Sequence, residues 1–139
     1  MRRNFMPIIS GLLMLFLALP CAAERRVEVF YQSSKDRVAD LSLPGVTVTR
    51  YDLDAPKQVT KPQITVKTPD EAKPALDAWL TTDEAAQFIE NTKKAFVGYE
   101  RAMKLGIERI PAIVIDDRYV VYGHTDIQEA LLHYANSER

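Results

Sequence analysis

The segment Ile110-Pro111-Ala112-Ile113-Val114-Ile115-Asp116-Asp117-Arg118-Tyr119-Val120-Val121-Tyr122-Gly123 limits what this chain can fold into more than any other. Ala112 to Ile115 is an unbroken apolar run and reads as a strand. Proline has no backbone N–H to give to a sheet, so Pro111 belongs at the first residue of that strand. Asp116-Asp117 makes a tight turn, Tyr119 to Tyr122 is the returning strand, and Gly123 breaks it. A helix is predicted from about Asp126 to Tyr134, capped by Thr125 or Asp126. Its residues Ile127, Ala130, Leu131 and Tyr134 stand at helical spacing to cover the sheet.

At the other end, Arg2 and Arg3 precede an uncharged run from Pro7 to Pro20 and the small residues Cys21-Ala22-Ala23 ahead of Glu24. A positive start, a short apolar stretch and a small-residue site are the three parts of a secretory signal. Residues 1–23 are therefore expected to be a signal cleaved between Ala23 and Glu24, leaving the protein in the periplasm without a stable membrane anchor. The competing expectations are an uncleaved anchor and lipidation at Cys21, against which stands Pro20 where a small residue is wanted. Cys21 is the only cysteine in 139 residues. Cleavage after Ala23 therefore removes disulfide, thiol nucleophile and thiolate metal site together. It also leaves 16 basic against 19 acidic residues, a balance that argues against a basic surface for DNA.

Residues 24–139 are long enough for one core. Arg26 to Tyr31 alternates and reads as a strand, and Val46 to Leu53 reads as a second. Between them Lys35 to Leu43 is expected to form a short helix, ended by Pro44-Gly45. Residues 54 to 69, with Pro56, Pro62 and Pro69, read as an irregular connection in which Ile64-Thr65-Val66 could add an edge strand. Thr68-Pro69-Asp70-Glu71 signals a helix start, with Pro74 kinking that helix before Trp79, the expected core anchor. The strongest helix is expected to start at a capping box, Thr81 with Glu84, and to end at Gly106. Its stripe Phe88, Thr92, Phe96, Tyr99 and Met103 is expected to pack on the sheet.

Strand, helix, strand, helix, hairpin and final helix is an order that resembles thioredoxin. The fold class expected is α/β and thioredoxin-like, a central mixed sheet of about four strands flanked by helices, without redox cysteines. In that fold the proline opening the hairpin strand is cis and sits opposite the loop after the first strand. The resemblance matches Ile110-Pro111-Ala112 to that proline and Gln32-Ser33-Ser34-Lys35 to the loop, so it implies a cis Pro111. Val27-Glu28-Val29-Phe30, Ala102-Met103-Lys104-Leu105-Gly106-Ile107, Ile110 to Asp116 and Tyr119 to Ile127 together resemble a family of small exported proteins encoded in integrating conjugative elements. The tail also resembles part of the TrbC and TraW conjugation proteins. The resemblance implies a bacterial envelope protein serving conjugative DNA transfer beside the mating-pair type IV secretion machinery.

Catalysis is not expected. Thiol-disulfide exchange needs a thiolate, and there is no nucleophile elbow or phosphate-cradling glycine loop. Ser33 and Ser34 suit a turn or cap. His124 and His133 stand at no recognised ligand spacing with Asp116, Asp117 or Asp126, so neither metal nor cofactor is expected. The function expected is that of a scaffold offering Ile110, Pro111 and the loop Gln32, Ser33, Ser34 and Lys35 to other envelope or secretion-channel proteins of the element. Strand addition of this kind does not need cysteines. The alternative is a periplasmic disulfide-handling or chaperone-like helper that retains Cys21 or borrows a cysteine from a partner.

Overall fold

A computed structural model describes residues 24–139. The expected signal, its Ala23 side of the cleavage point and Cys21 lie outside the described residues. Glu24, the first described, is exposed and accepts a hydrogen bond from the Thr47 hydroxyl.

Four strands form one mixed sheet: β1 (Arg25–Tyr31), β2 (Val46–Asp52), β3 (Ala112–Ile115) and β4 (Tyr119–Tyr122), in the order β2-β1-β3-β4. β1 runs parallel to β2 and antiparallel to β3, and β3 and β4 form the hairpin. Asp116 and Asp117 turn that hairpin with φ of 51° and 59°, a left-handed conformation that Asp tolerates better than most residues.

Side-chain alternation sorts the two central strands onto two cores. Val27 and Val29 of β1 and Ile113 and Ile115 of β3 point to one face. There they meet Ile127, Ala130 and Tyr134 of α4 (Ile127–Ser137), the helix expected at the C-terminus. Asp126 caps it, accepting from the amides of Gln128 at 2.8 Å and Glu129 at 3.2 Å. Phe30, Ala112 and Val114 point to the other face, where Ala102 of α3 (Asp83–Lys104) covers them. β3 is buried along its whole length because helices lie on both its faces.

At the turn end of the sheet, charges tie α3 down. Glu28 of β1, which is buried, accepts both Nε and Nη2 of Arg101 at 2.8 Å. Arg101 also pairs with Asp117, which Arg26 holds from the strand side at 2.8 Å.

Several sequence expectations need correction. No helix forms over Lys35 to Leu43. Arg50 reaches across from β2 and donates to the carbonyls of Ala39 at 3.0 Å and Leu41 at 3.2 Å, acceptors a helix would have needed for itself. Ile64 to Val66 adds no strand. The connection instead contains a single helical turn, α1 (Ala55–Gln58), and a 3-10 turn over Pro69–Glu71 that leads into α2 (Ala72–Leu80). Pro74 sits in the first turn of α2, where amides have no intrahelical partner to lose, so it does not interrupt the helix. Trp79 lies outside both cores, half-buried, its ring 5.8 Å from that of Phe88 between α2 and α3.

The expected capping box does not form. Thr82 rather than Thr81 caps α3, accepting from the Ala85 amide at 3.2 Å. Gly106, with φ of 66°, ends the helix as expected. The face that packs is Ala85, Gly98 and Ala102, with Phe88 and Thr92 half-buried, while Phe96, Tyr99 and Met103 remain exposed.

Gly98 explains where the helix sits. A Cβ there would stand 3.0 Å from Cβ of Tyr51 and 3.1 Å from Cδ2 of Leu53, so only a residue without a side chain allows α3 this close to β2. Alanine ordinarily favours a helix interior over glycine by about 1 kcal/mol. Overpacking a tight contact costs about 1–3 kcal/mol, so the clash wins. Gly98→Ala is expected to lower unfolding stability in urea; a rise would mean α3 is not pressed against Tyr51.

Candidate functional site

The β1–β3 register brings the candidate residues to one end of the sheet. Phe30 stands opposite Ala112. Tyr31 and the loop that follows it leave β1 at the end where Ile110 and Pro111 lead into β3. The Ile110–Pro111 peptide is cis, the state the resemblance implies. This end also holds the close of the parallel pair β1 and β2, where loops leave neighbouring strands in the same direction.

The loop after β1 is held from within. The Gln32 amide donates to Asp36 Oδ2 at 2.9 Å, and the Ser33 amide to Asp52 Oδ1 at 3.1 Å. The Ser34 amide donates to Asp54 Oδ2 at 3.0 Å, and the Ser34 hydroxyl donates to the same oxygen. The amides of Lys35 and Asp36 return to the Gln32 carbonyl at 2.9 and 2.7 Å. Five consecutive N–H groups are thus satisfied, three of them by carboxylates.

A loop with free amides at a strand end would be a natural anion cradle. Here carboxylates of the chain itself already fill it, so neither a phosphate nor a peptide carbonyl can take those donors without displacing an acid. Ser33 and Ser34 are turn residues whose amides are held by Asp52 and Asp54.

Asp54 is the anchor of this arrangement. Its side chain is almost fully buried and accepts from Lys57 Nζ at 2.5 Å, as well as from Ser34. Lys57, then the Ser34 hydroxyl, then the Ser34 amide hold its carboxyl well below the usual range, to about 2. For Asp52, burial pushes the carboxyl up. Hydrogen bonds from the Ser33 hydroxyl and the amides of Asp54 and Ser33 more than offset that, so it too is lowered. Asp52 also accepts from the Asp54 amide at 2.8 Å, and its bond from the Ser33 amide ties the ends of β1 and β2 together.

Ile110 is different. Neither its N–H nor its C=O makes a hydrogen bond among the described residues, whereas the Pro111 carbonyl accepts from the Gly123 amide at 2.8 Å. Beside Ile110 lies a shallow depression of about 230 Å³ lined by Arg109, Ile110, Tyr122 and Gly123. The Arg109 guanidinium stands over the Tyr122 ring at 5.2 Å and makes no salt bridge among the described residues. No hydrogen bond joins the Gln32 to Lys35 loop to Ile110 or Pro111 among the described residues. The two halves of the expected surface share an end of the sheet; the loop has its amides satisfied, whereas Ile110 has neither its amide nor its carbonyl paired among the described residues.

Asp36, Asp52, Asp54, Lys57, Arg109 and Tyr122 were not singled out as site residues from the sequence. An acid four residues after Gln32, and the pair Asp52-x-Asp54 closing a strand, are the signals that could have found the three carboxylates, since Asp in such positions satisfies nearby amides. His124 and His133 stand elsewhere, at the start of and within α4, both beside Glu129. Among the described residues no group of three or more His, Cys, Asp or Glu could hold a metal ion.

Sheet order, two-sided helix cover and an open backbone at the strand entry define a small mixed α/β protein. Residues 24–138 match the model of a family described as a protein of unknown function (DUF1525), and the chain belongs to that family. No curated protein and no solved structure matches it.

The Asp54 anchor has a pH signature. Its carboxyl is lowered from 3.8 to about 2 by folding, so its contribution to stability is complete above the unfolded value and is lost as pH falls toward the folded one. Asp54→Ala is expected to be less stable than wild type at neutral pH. The difference, followed by urea unfolding, should shrink as pH drops from about 4 toward 2. A difference that stays constant over that window would show that Asp54 does not carry the charge-dependent anchoring.

Proposed function

We propose that this protein is a non-catalytic, thioredoxin-like binding protein of the bacterial periplasm that holds an extended segment of another protein along Ile110. The observation that carries the reading is the pair of unpaired backbone groups at Ile110, beside a depression able to take a side chain. An extended peptide pairs with such a position by strand addition, drawing affinity from main-chain hydrogen bonds and selectivity from the adjoining pocket. Arg109, without a carboxylate partner among the described residues, favours a segment carrying an acid.

The thioredoxin-like assignment is supported by the order β2-β1-β3-β4, by helices on both faces, and by Pro111 opening β3 opposite the loop after β1. The lack of any cysteine beyond Cys21 supports binding over thiol chemistry. The partner class rests on sequence resemblance to proteins of integrating conjugative elements and to TrbC and TraW. On that basis the segment belongs to an envelope or secretion-channel protein of the mating apparatus.

The test is affinity purification of the tagged protein from the periplasm of cells carrying such an element, with mass spectrometry of what comes along. Wild type is expected to bring secretion-channel proteins, as is the control Leu132→Asp on the exposed side of α4. Ile110→Asp, and Arg109→Ala at an exposed position, are expected to lose at least about tenfold of that material, the effect of about 1.4 kcal/mol. Full retention by both variants would overturn the proposed surface. Recovery of general folding clients in place of channel proteins would overturn the proposed partner.

A further inference from the structure

Helix α3 carries two apolar stripes, and the fold uses one. Ala85, Gly98 and Ala102 face the rest of the protein. Beside them Ile89, Thr92, Phe96, Tyr99 and Met103 follow one another at alternating steps of four and three, the repeat of a two-helix seam. Ile89 is 40% exposed, Phe96 50% and Met103 75%, far more than a face packed on its own sheet would leave open. Tyr99 is held ready at the edge of this stripe, its hydroxyl donating to the Leu53 carbonyl at 2.9 Å and its ring 5.9 Å from that of Phe96.

We propose that this stripe is covered by α3 of a second copy of the chain, running antiparallel. The charges flanking the stripe decide both the occupant and its direction. With Ile89, Phe96 and Met103 at the a positions and Thr92 and Tyr99 at d, Lys93 and Glu100 occupy e, and Ala95 and Ala102 occupy g. Such flanking charges set partner and orientation in paired helices.

In an antiparallel pair e faces e and g faces g. Phe96 of each copy then packs on Tyr99 of the other, and the small Thr92 receives the long Met103. Lys93 faces Glu100 of the second copy, twice by the two-fold symmetry of such a contact. On the far side Ala95 is small enough for close approach, while Ala102 stays packed in its own core.

A parallel, in-register pair would set Glu100 against Ala95 and Lys93 against Phe88, and would form no ion pair. Lys93 makes no ion pair among the described residues. Glu100 is held by Lys104 through Oε1 at 2.7 Å, leaving Oε2 for a second cation. The seam lies on α3 and includes no residue of the Ile110 site, so the two surfaces can be occupied together.

Analytical ultracentrifugation of the full chain, recovered in whatever processed form the cell leaves, tests this over the micromolar range. Wild type is expected to dimerise. Phe96→Glu, at an exposed position, should be monomeric with an unchanged circular dichroism spectrum. Lys93→Glu and Glu100→Lys should each weaken the dimer roughly three- to tenfold, as two lost and reversed surface pairs would. The double variant Lys93→Glu/Glu100→Lys should recover wild-type affinity. A wild type that stays monomeric, or a dimer indifferent to Phe96→Glu, would overturn the interface. A dimer broken by Phe96→Glu but not rescued by the charge swap would overturn its antiparallel pairing.

Discussion

The antiparallel pairing of β1 with β3 is the contact on which the rest of the structure depends. Its register sets Val27 and Val29 beside Ile113 and Ile115 on one face and Phe30 beside Ala112 on the other, so each helix layer has an apolar floor. The same register brings the loop after β1 and the entry to β3 to one end of the sheet, and Asp116 to the level of Arg26 at the other. The Asp116 amide donates to the Arg26 carbonyl at 2.9 Å. A slip of one residue would exchange the two faces of β3 and separate both ends.

The two ends have opposite chemistry for a physical reason. At the hairpin turn, Glu28, Arg101, Asp117 and Arg26 pair with one another across β1, α3 and the turn, and the charges fix α3 in place. At the other end three carboxylates and the Gln32 carbonyl satisfy the amides of the loop after β1. The proposed binding at that end rests on Ile110, whose amide and carbonyl have no partner among the described residues. In that proposal the internally bonded loop would help, because an extended segment pairs best with a strand entry that need not be ordered on contact.

Much of the fold was legible in local sequence. Alternation in Arg26 to Tyr31, the apolar run Ala112 to Ile115, the Asp116-Asp117 turn, the Asp126 cap and the Gly106 stop each act over a few residues, and each lies where sequence placed it. What failed was decided by distant partners. The segment from Lys35 to Leu43 has a tolerable helical pattern, yet Arg50 of β2 binds two of its carbonyls. Gly98 breaks the apolar pattern of α3 in sequence and marks the point of closest packing in space. The packed face is for that reason the one bearing small residues, and the large ones at Phe96 and Met103 face outward. Of the candidate surface, Ile110, Pro111 and the Gln32 to Lys35 loop were named through resemblance, while the reach of Asp52 and Asp54 to the amides of Ser33 and Ser34 depends on β2 lying beside β1.

The central claim is that this end of the sheet has a closed loop and one open strand entry. Amide hydrogen exchange followed residue by residue by NMR tests it most directly. The account predicts that the Ile110 amide exchanges at close to the rate of an unpaired peptide group, while Ser33 and Ser34 in the loop after β1 are slowed by their bonds to Asp52 and Asp54. An Ile110 amide as protected as those of β3, or Ser33 and Ser34 amides exchanging freely, would contradict it.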